Sequence, residues 1–352
     1  MSGERLAVLT EGLFDDHHAK TAHGVIRYGT REVVCVVDST QAGRTAAQVV
    51  PFCEKPVPIV ATIAEAAERG AETLLVGIAP SGGKLDSAWR SLVLEAIERG
   101  LNVEAGLHTI LADDREFTAA AARRGVTLRD LRLPPPDLSL PRGPSARRAG
   151  LRVVHSVGSD VAIGKKAVAV ELDAAARARG LRSVYVPTGQ TGIAISGWGI
   201  AVDHVLSDYV AGAAERLVDE GGDRGELLFV EGQGSLFHPA YSAVTLGLLH
   251  GCSPDVLVLA HRAEATHFEG YPDVELPSLS ELIEAYEAAC RPLRPARVAA
   301  VALNTSRLED DGEARAAVER TRAETGLVTD DLVRFGPNRV LDAVLTALEE
   351  SH

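Results

Sequence analysis

The sequence predicts an α/β protein of two consecutive domains, each built on a parallel β-sheet that is covered by helices. Three observations lead to this prediction. The chain has 352 residues, which is long for one ordinary domain. In both halves, short β-branched runs alternate with helical segments rich in Ala, Glu and Arg, which is typical of parallel βαβ units. A proline-rich stretch separates the halves, and the second half opens with a glycine-bounded loop of the phosphate-binding type.

Five apolar runs of the first half are predicted as strands, and two segments between them as helices. The strands are RLAVLT, EVVCVVD, PIVA, ETLLVGI and NVEAGL, and the helices are TIAEAAERG and SAWRSLVLEAIERG. In such sheets, ligands bind beyond the carboxyl ends of the strands. The turn of Ser81, Gly82 and Gly83 is therefore either an ordinary turn or a contact for an anion or carboxylate of the substrate. The dinucleotide pattern GxGxxG is absent, which disfavours a nicotinamide cofactor.

The domain boundary is predicted in the segment LRLPPPDLSLPRGPSARRAG, residues 131–150. This segment contains five prolines and little apolar periodicity. Proline removes a backbone donor and restricts φ, so the segment is expected to be an extended connection. We therefore predict a first domain at 1–135, a linker at 136–150 and a second domain at 151–352.

Five further strands are predicted in the second half, each ending in a polar loop. They lie in LRVVHSV, RSVYVPTGQTG, ELLFVEGQGSLFHPAY, DVLVLAHRAEAT and RVAAVALNTSRL. Helical segments join them, and this order is typical of a parallel nucleotide-binding sheet.

The loop after the first of these strands is bounded by Gly158 and Gly164 and is followed by Lys165. The backbone N–H groups of such a loop and the positive end of its helix bind phosphate. Its pattern, GxDxxxGK, is one residue longer than the common GxxxxGK and is known from dethiobiotin synthetases. The residues predicted to bind the phosphates are Gly158, Ser159, Asp160, Ala162, Ile163, Gly164, Lys165, Lys166 and Ala167. Lys166 and Ala167 replace the hydroxyl residue that normally holds Mg²⁺, which favours anchoring of a phosphate over its transfer.

Candidates for proton transfer follow in the same domain. Glu231 ends the strand LLFV and is either a catalytic base or a carboxylate that caps the glycine turn. His238, seven residues later, is a second candidate base. Asp203 is a third candidate catalytic group and Asp208 a candidate substrate contact, although either aspartate could instead be a helix N-cap.

Other polar residues at strand ends are predicted to bind ligands. Thr188, Gln190 and Thr191 offer hydroxyl and amide groups without charge, which suits substrate binding. Arg262 could pair with a substrate carboxylate through its guanidinium group. Asn304 follows the last strand, where related folds bind a purine, so it is grouped with the cofactor-binding residues.

Composition limits the classes of partner. The formal net charge is −13, and phosphate backbones select basic surfaces, so no nucleic-acid partner is expected. The sequence contains no run of about 18 apolar residues, so no membrane partner is expected. We expect a cytoplasmic homo-oligomer. The four cysteines lack CxxC spacing and are predicted to be packed thiols, and no metal site is predicted, at His17, His18 or elsewhere.

The motifs together resemble a known family. AKTAHGVIRYG, GIAPSGG, GLHT, VGSDVAIGKK, PTGQTG, AVDHVLSDYVAGAAE, VEGQGSLFHPAYSAVTLGLLHG and LNTSRL occur in the order typical of the family that includes the D-glutamate N-acetyltransferase DgcN. The resemblance implies a Rossmann-like N-terminal domain, a C-terminal P-loop NTPase-like domain, and acetyl transfer from acetyl-CoA to the nitrogen of an amino acid. The family usually has Gly-Lys-Met-Thr where this chain has Lys165 followed by Lys166 and Ala167.

Three functions are consistent with these residues. The first is an N-acyltransferase that uses acetyl-CoA or another acyl-CoA and a small, D-glutamate-like amino acid. The second is a ligase or kinase that uses ATP with Mg²⁺, held by Glu231 and Asp160. The third is a nucleotide sensor without catalysis. Acetyl transfer that persists in EDTA would distinguish the first from the second, and ligand binding without turnover would identify the third.

Overall fold

The computed structural model describes residues 4–78, residue 85 and residues 87–350. The chain forms two compact units, the first from Met1–Pro134 with Gly189–Ala201, the second from Pro135–Thr188 with Val202–His352. Each unit contains one six-stranded parallel sheet with helices, which confirms the predicted fold class.

In the first unit, the strand order is β3-β2-β1-β4-β5-β6 and every neighbouring pair is parallel. The strands are β1 (Arg5–Leu9), β2 (Glu32–Val37), β3 (Ile59–Val60), β4 (Thr73–Val76), β5 (Asn102–Ala105) and β6 (Leu128–Asp130), and the helices before the second unit are α1 (Lys20–Tyr28), α2 (Ala46–Val49), α3 (Ile63–Glu68), α4 (Ser87–Glu98) and α5 (Arg115–Arg124). The five predicted strands all form. The prediction missed β6 because its three half-buried residues form no apolar run.

In the second unit, the strand order is β14-β13-β10-β7-β9-β8, and all of these pairs are parallel. The strands of the second half are β7 (Arg152–Gly158), β8 (Ser183–Val186), β9 (Leu227–Val230), β10 (Val256–Arg262), the hairpin pair β11 (His267–Phe268) and β12 (Tyr271–Glu275), β13 (Arg297–Asn304) and β14 (Val328–Asp330). The helices are α6 (Lys165–Ala178), α7 (Gln190–Ser196), α8 (Val210–Gly222), α9 (Ser242–Cys252), α10 (Leu279–Cys290), α11 (Asp311–Thr325) and α12 (Asn338–Glu350). The five predicted strands form here too, whereas β14 and the hairpin were not predicted.

Helix α7 belongs to the first unit although it lies between β8 and β9 in the chain. The hydroxyl groups of Thr191 and Thr21 are 2.7 Å apart and hydrogen-bonded. Near the end of the helix, Arg31 donates to the carbonyl of Ala194 at 3.2 Å. The chain then returns to the second unit at Val202, whose N–H donates to the Thr188 carbonyl at 2.9 Å.

The interior of both units is apolar, and the cysteines belong to it. All four cysteines are buried and unpaired, as the sequence predicted. Burial raises the pKa of the Cys252 thiol to about 12, so it stays protonated and unreactive at neutral pH. Among the described residues, no helix is long and apolar enough to cross a membrane.

Candidate active site around the phosphate loop

The phosphate loop joins β7 to the N-terminus of α6. Gly164 precedes the helix with φ +108°, and Ala162 has φ +54°, so the backbone turns sharply just before Lys165. Ala162 is a non-glycine residue in the left-handed region, which is uncommon and typical of functional loops. Val168 makes the first helical bond back to the carbonyl of Gly164 at 3.0 Å, so the N–H groups before it lie at the helix start, where an anion binds.

Lys165 is folded back onto this loop. Its side chain is buried, and its ammonium group donates to the carbonyl of Asp160. A Cβ at Gly158 would lie only 2.9 Å from Cδ of Lys165, so the glycine makes room for the lysine. Burial lowers the pKa of Lys165 to about 8, against the opposing charges of Asp160 and Glu231. Lys165 is therefore charged at neutral pH and loses its charge just above it.

Side chains from four neighbouring segments hold the loop in place. The Tyr286 hydroxyl donates to the Gly158 carbonyl at 2.7 Å. Ser159 is held twice: its carbonyl accepts from the Ser235 hydroxyl at 2.9 Å, and its hydroxyl is hydrogen-bonded to His261 Nδ1 at 2.8 Å. The Asn304 amide donates to the Ile163 carbonyl at 3.0 Å. The shape of the loop is thus set before a ligand binds. Asn304, predicted as a purine contact, directly contacts the loop.

Glu231 lies at the end of β9, beside the loop. Its Oε2 accepts hydrogen bonds from the Tyr185 hydroxyl at 2.8 Å and from the Thr188 N–H at 3.2 Å. Burial raises the pKa of Glu231, and the negative charge of Asp203 raises it further. The positive charge of Lys166 and the hydrogen bonds from Tyr185 and Thr188 oppose this rise. Burial also raises the pKa of Tyr185 well above its usual value, so this hydroxyl keeps its proton and acts as the donor.

Gly232 brings Glu231 close to the phosphate loop. A Cβ at this position would be 1.7 Å from the Ser156 carbonyl oxygen of β7, so only glycine fits. The Gly232 N–H donates to the Ser156 hydroxyl at 3.0 Å, which in turn donates to the Val230 carbonyl at 3.1 Å. The close approach of β9 and β7 places Glu231 where its charge raises the pKa of Lys165.

Asp160 and His238 meet on the other side of the loop. Asp160 Oδ1 accepts from the N–H of Val161 at 2.7 Å and is 3.7 Å from His238 Nε2. The Ala240 N–H donates to His238 Nδ1 at 3.1 Å, so Nδ1 is the acceptor in this contact. The role of His238 as a base stays a prediction.

Glu269, at the tip of the β11–β12 hairpin, connects three predicted site residues. Its N–H donates to Asp160 Oδ2 at 2.8 Å, its carbonyl lies 3.4 Å from His238 Nε2, and its carboxylate pairs with Arg262 at 3.1 Å. The sequence analysis did not identify Glu269. The glycine that follows it, Gly270 with φ +80°, is a turn signal that could have marked the hairpin.

Two of the remaining predicted contacts act on Glu231, Thr188 through a hydrogen bond and Asp203 through its charge. Thr188 lies in the second unit beside Glu231, whereas Gln190 and Thr191 lie in the first unit on α7. Asp203 and Asp208 are exposed in short turns, and neither is the N-cap of α8, which is Tyr209. The turn of Ser81, Gly82 and Gly83 lies outside the described residues. The roles predicted for Asp203, Asp208, Gln190 and Thr191 stay predictions.

The carboxylate of Asp160 is part of the hydrogen-bond network of the loop. Both of its oxygens accept backbone N–H bonds, from Val161 and Glu269. These bonds use two of the about four lone-pair sites of the carboxylate. Across the described part of the chain, no group of three or more His, Cys, Asp or Glu side chains is arranged to hold a metal ion.

These features define a class: an α/β protein in which a phosphate-loop domain accompanies a second parallel-sheet domain. The chain belongs to the DUF1611 family. Residues 142–341 match the model of its P-loop domain, DUF1611_C, and residues 39–134 match the model of its Rossmann-like domain, DUF1611_N, both described as domains of unknown function.

The chain is similar to two relatives whose names state an activity and to a solved structure of the same family. A protein of Tritonibacter scottomollicae named D-glutamate N-acetyltransferase is 39% identical over 285 residues, which is 80% of this chain and 84% of that protein. A protein of Pseudoalteromonas sp with the same name is 36% identical over 281 residues, 80% of this chain and 83% of that one. The crystal structure of a DUF1611 family protein from Anabaena variabilis ATCC 29413 superposes with a TM-score of 0.92 at 38% identity and covers 98% of this chain and 100% of that chain.

Proposed function

We propose that this protein is an N-acetyltransferase that transfers the acetyl group of acetyl-CoA to the amine of D-glutamate. The names of the two relatives, at 39% and 36% identity, support this activity. The observation in the chain itself that carries the proposal is the buried carboxylate of Glu231 next to a phosphate loop with two lysines. A buried base with a raised pKa beside an anion site suits acyl transfer to an amine.

The phosphate loop fits the phosphate groups of CoA. The start of α6, a helix of 14 residues, presents N–H groups, and Lys165 and Lys166 add positive charge. These residues would hold the cofactor by its phosphates and so fix its orientation. When bound, acetyl-CoA supplies a thioester whose carbonyl carbon accepts the amine.

Glu231 is the base in this proposal. The amine of an amino acid is protonated at neutral pH and must lose a proton before it can form an amide. Both hydrogen bonds from Tyr185 and Thr188 end on Oε2 of Glu231, which leaves Oε1 to accept the proton. The ammonium group of the acceptor first releases one proton to solvent and enters the reaction as the neutral amine. The C–N bond then forms as the C–S bond breaks, the second nitrogen proton passes to Glu231, and the sulfur leaves as the thiolate of CoA, which takes up a proton from solvent.

The experiment is a coupled measurement of two products. The protein is incubated with acetyl-CoA and D-glutamate in EDTA, free thiol is followed spectroscopically, and N-acetylglutamate is identified by mass spectrometry. Glu231→Gln should lower turnover by at least about a hundred-fold with little change in CoA affinity. Glu226→Gln is the matched control, because Glu226 precedes the same strand and its side chain forms an exposed pair with Arg182.

Two outcomes would contradict the proposal. Full activity of Glu231→Gln would exclude Glu231 as the base. ADP formation from ATP with Mg²⁺, without thiol release from acetyl-CoA, would exclude acetyl transfer altogether.

A further inference from the structure

The Arg262–Glu269 pair is unequal in its exposure to solvent. The side chain of Arg262, at the end of β10, is 11% exposed, whereas that of Glu269 is 50% exposed. A buried guanidinium group needs a carboxylate partner, and removing that partner without a replacement is costly. A half-exposed carboxylate can turn into water at little cost. The arginine is therefore the fixed member of the pair and the glutamate the replaceable one.

The backbone of Glu269 is held independently of its side chain. Its N–H is bonded to Asp160 at 2.8 Å, and its carbonyl is 3.4 Å from His238 Nε2. The Glu269 carboxylate can leave Arg262 by rotation about its own side-chain bonds while the hairpin stays in place. The exchange of one carboxylate for another at Arg262 thus requires no movement of a sheet or helix.

We propose that Arg262 binds a carboxylate of the acceptor amino acid, and that Glu269 occupies this position until the acceptor displaces it. This inference rests on the proposed function, because it takes the acceptor to be a dicarboxylic amino acid. Glu269 is then a specificity-determining residue: a ligand must carry a carboxylate that binds Arg262 better than the internal one does.

The position beside Arg262 already accommodates a carboxylate. The carboxylate of Glu269 pairs with the Arg262 guanidinium group at 3.1 Å, and a guanidinium fork can bind both oxygens of such a group. We therefore take the ligand at Arg262 to be a carboxylate, and assign the phosphates of CoA to the loop at Lys165.

The test measures binding of glutarate, a dicarboxylate without an amine, by calorimetry on the full chain. Glutarate cannot be acetylated, so its binding does not depend on the proposed reaction. Glu269→Gln should tighten glutarate binding by about two- to five-fold, because a competing carboxylate is removed. Glu275→Gln, an exposed change of the same type on β12, should leave the affinity unchanged. Arg262→Met should weaken it by at least about ten-fold.

Arg262→Lys serves as a second variant if Arg262→Met does not fold, because lysine keeps the buried positive charge but lacks the forked guanidinium group. Arg262→Lys should weaken glutarate binding by a smaller factor than Arg262→Met. The inference is overturned if Glu269→Gln binds glutarate no better than Glu275→Gln, if Arg262→Lys binds as tightly as the native protein, or if the native protein does not bind glutarate. Acetyl transfer to D-glutamate combined with any of these results would leave the proposed function standing and remove only the role of Glu269 and Arg262.

Discussion

Replacement of Tyr185 by Phe should shift the pH dependence of acetyl transfer toward higher pH. Burial raises the pKa of Glu231, and the hydrogen bond from Tyr185, 2.8 Å long, opposes that rise. A donor to the charged form of a carboxyl group favours ionisation. Phenylalanine keeps the buried ring and removes only the donor, so the pKa of Glu231 should rise further.

The size of the effect on the rate follows from the energy of one hydrogen bond. A hydrogen bond to a charged group contributes about 1.5–3 kcal/mol, and a factor of ten corresponds to about 1.4 kcal/mol. Loss of the Tyr185 hydroxyl should therefore raise the pKa of Glu231 and, at a pH below both pKa values, lower kcat/KM by about ten- to a hundred-fold. Below the new pKa, the fraction of deprotonated base, and with it the rate, falls about ten-fold per pH unit. At a pH above both pKa values, the two proteins should turn over at equal rates.

The assay is kcat/KM for D-glutamate as a function of pH at saturating acetyl-CoA. Tyr286→Phe is the matched control, because Tyr286 is also buried and donates to the Gly158 carbonyl at 2.7 Å. It should weaken cofactor binding and leave the acid limb of the profile in place. An infrared titration of the Glu231 carboxyl band would measure the same pKa without turnover. An acid limb that is unchanged in Tyr185→Phe, or that moves to lower pH, refutes the reasoning.

Two further predictions concern charge at the same site. Lys165→Met should weaken CoA binding by about ten- to a hundred-fold in calorimetry, whereas Lys55→Met, at an exposed lysine, should not. Because burial lowers the pKa of Lys165 to about 8, the affinity of the native protein for CoA should also fall as the pH rises through that value. An affinity for CoA that does not change with pH would contradict this role. Glu231→Gln should raise the thermal unfolding midpoint near neutral pH although it lowers turnover. The pKa of Glu231 is higher in the folded than in the unfolded protein, so its contribution to stability is present at low pH and is lost as the pH rises through the folded pKa. The higher unfolding midpoint of the variant should therefore disappear below about pH 4. Equal midpoints of variant and native protein near neutral pH and below about pH 4 would show that burial of Glu231 costs no stability.

The sequence by itself determined the features that depend on neighbouring residues. Apolar runs marked the five strands predicted in each half, and all ten form. Gly158, Gly164 and Lys165 marked the phosphate loop, because a tight anion-binding turn needs glycine at fixed positions before a helix. Two of the strands that were missed, β6 and β14, have three residues each, too few to show a period. The hairpin strands β11 and β12 were also missed, and all five residues of β12 are exposed, so they show no apolar run.

Only the tertiary structure decided which polar groups meet. Glu269 reaches Asp160 across 109 residues of chain, and Tyr185 reaches Glu231 across 46. Helix α7 lies in the sequence between strands of the second sheet, yet it packs with α1 in the first unit. The physical reason is that hydrophobic periodicity reports which face of an element is buried, whereas strand order and the crossings between distant segments determine the partner of each polar side chain. Glu269 therefore contacts Asp160 and Arg262 in the folded protein, whereas in the sequence it is an ordinary turn residue.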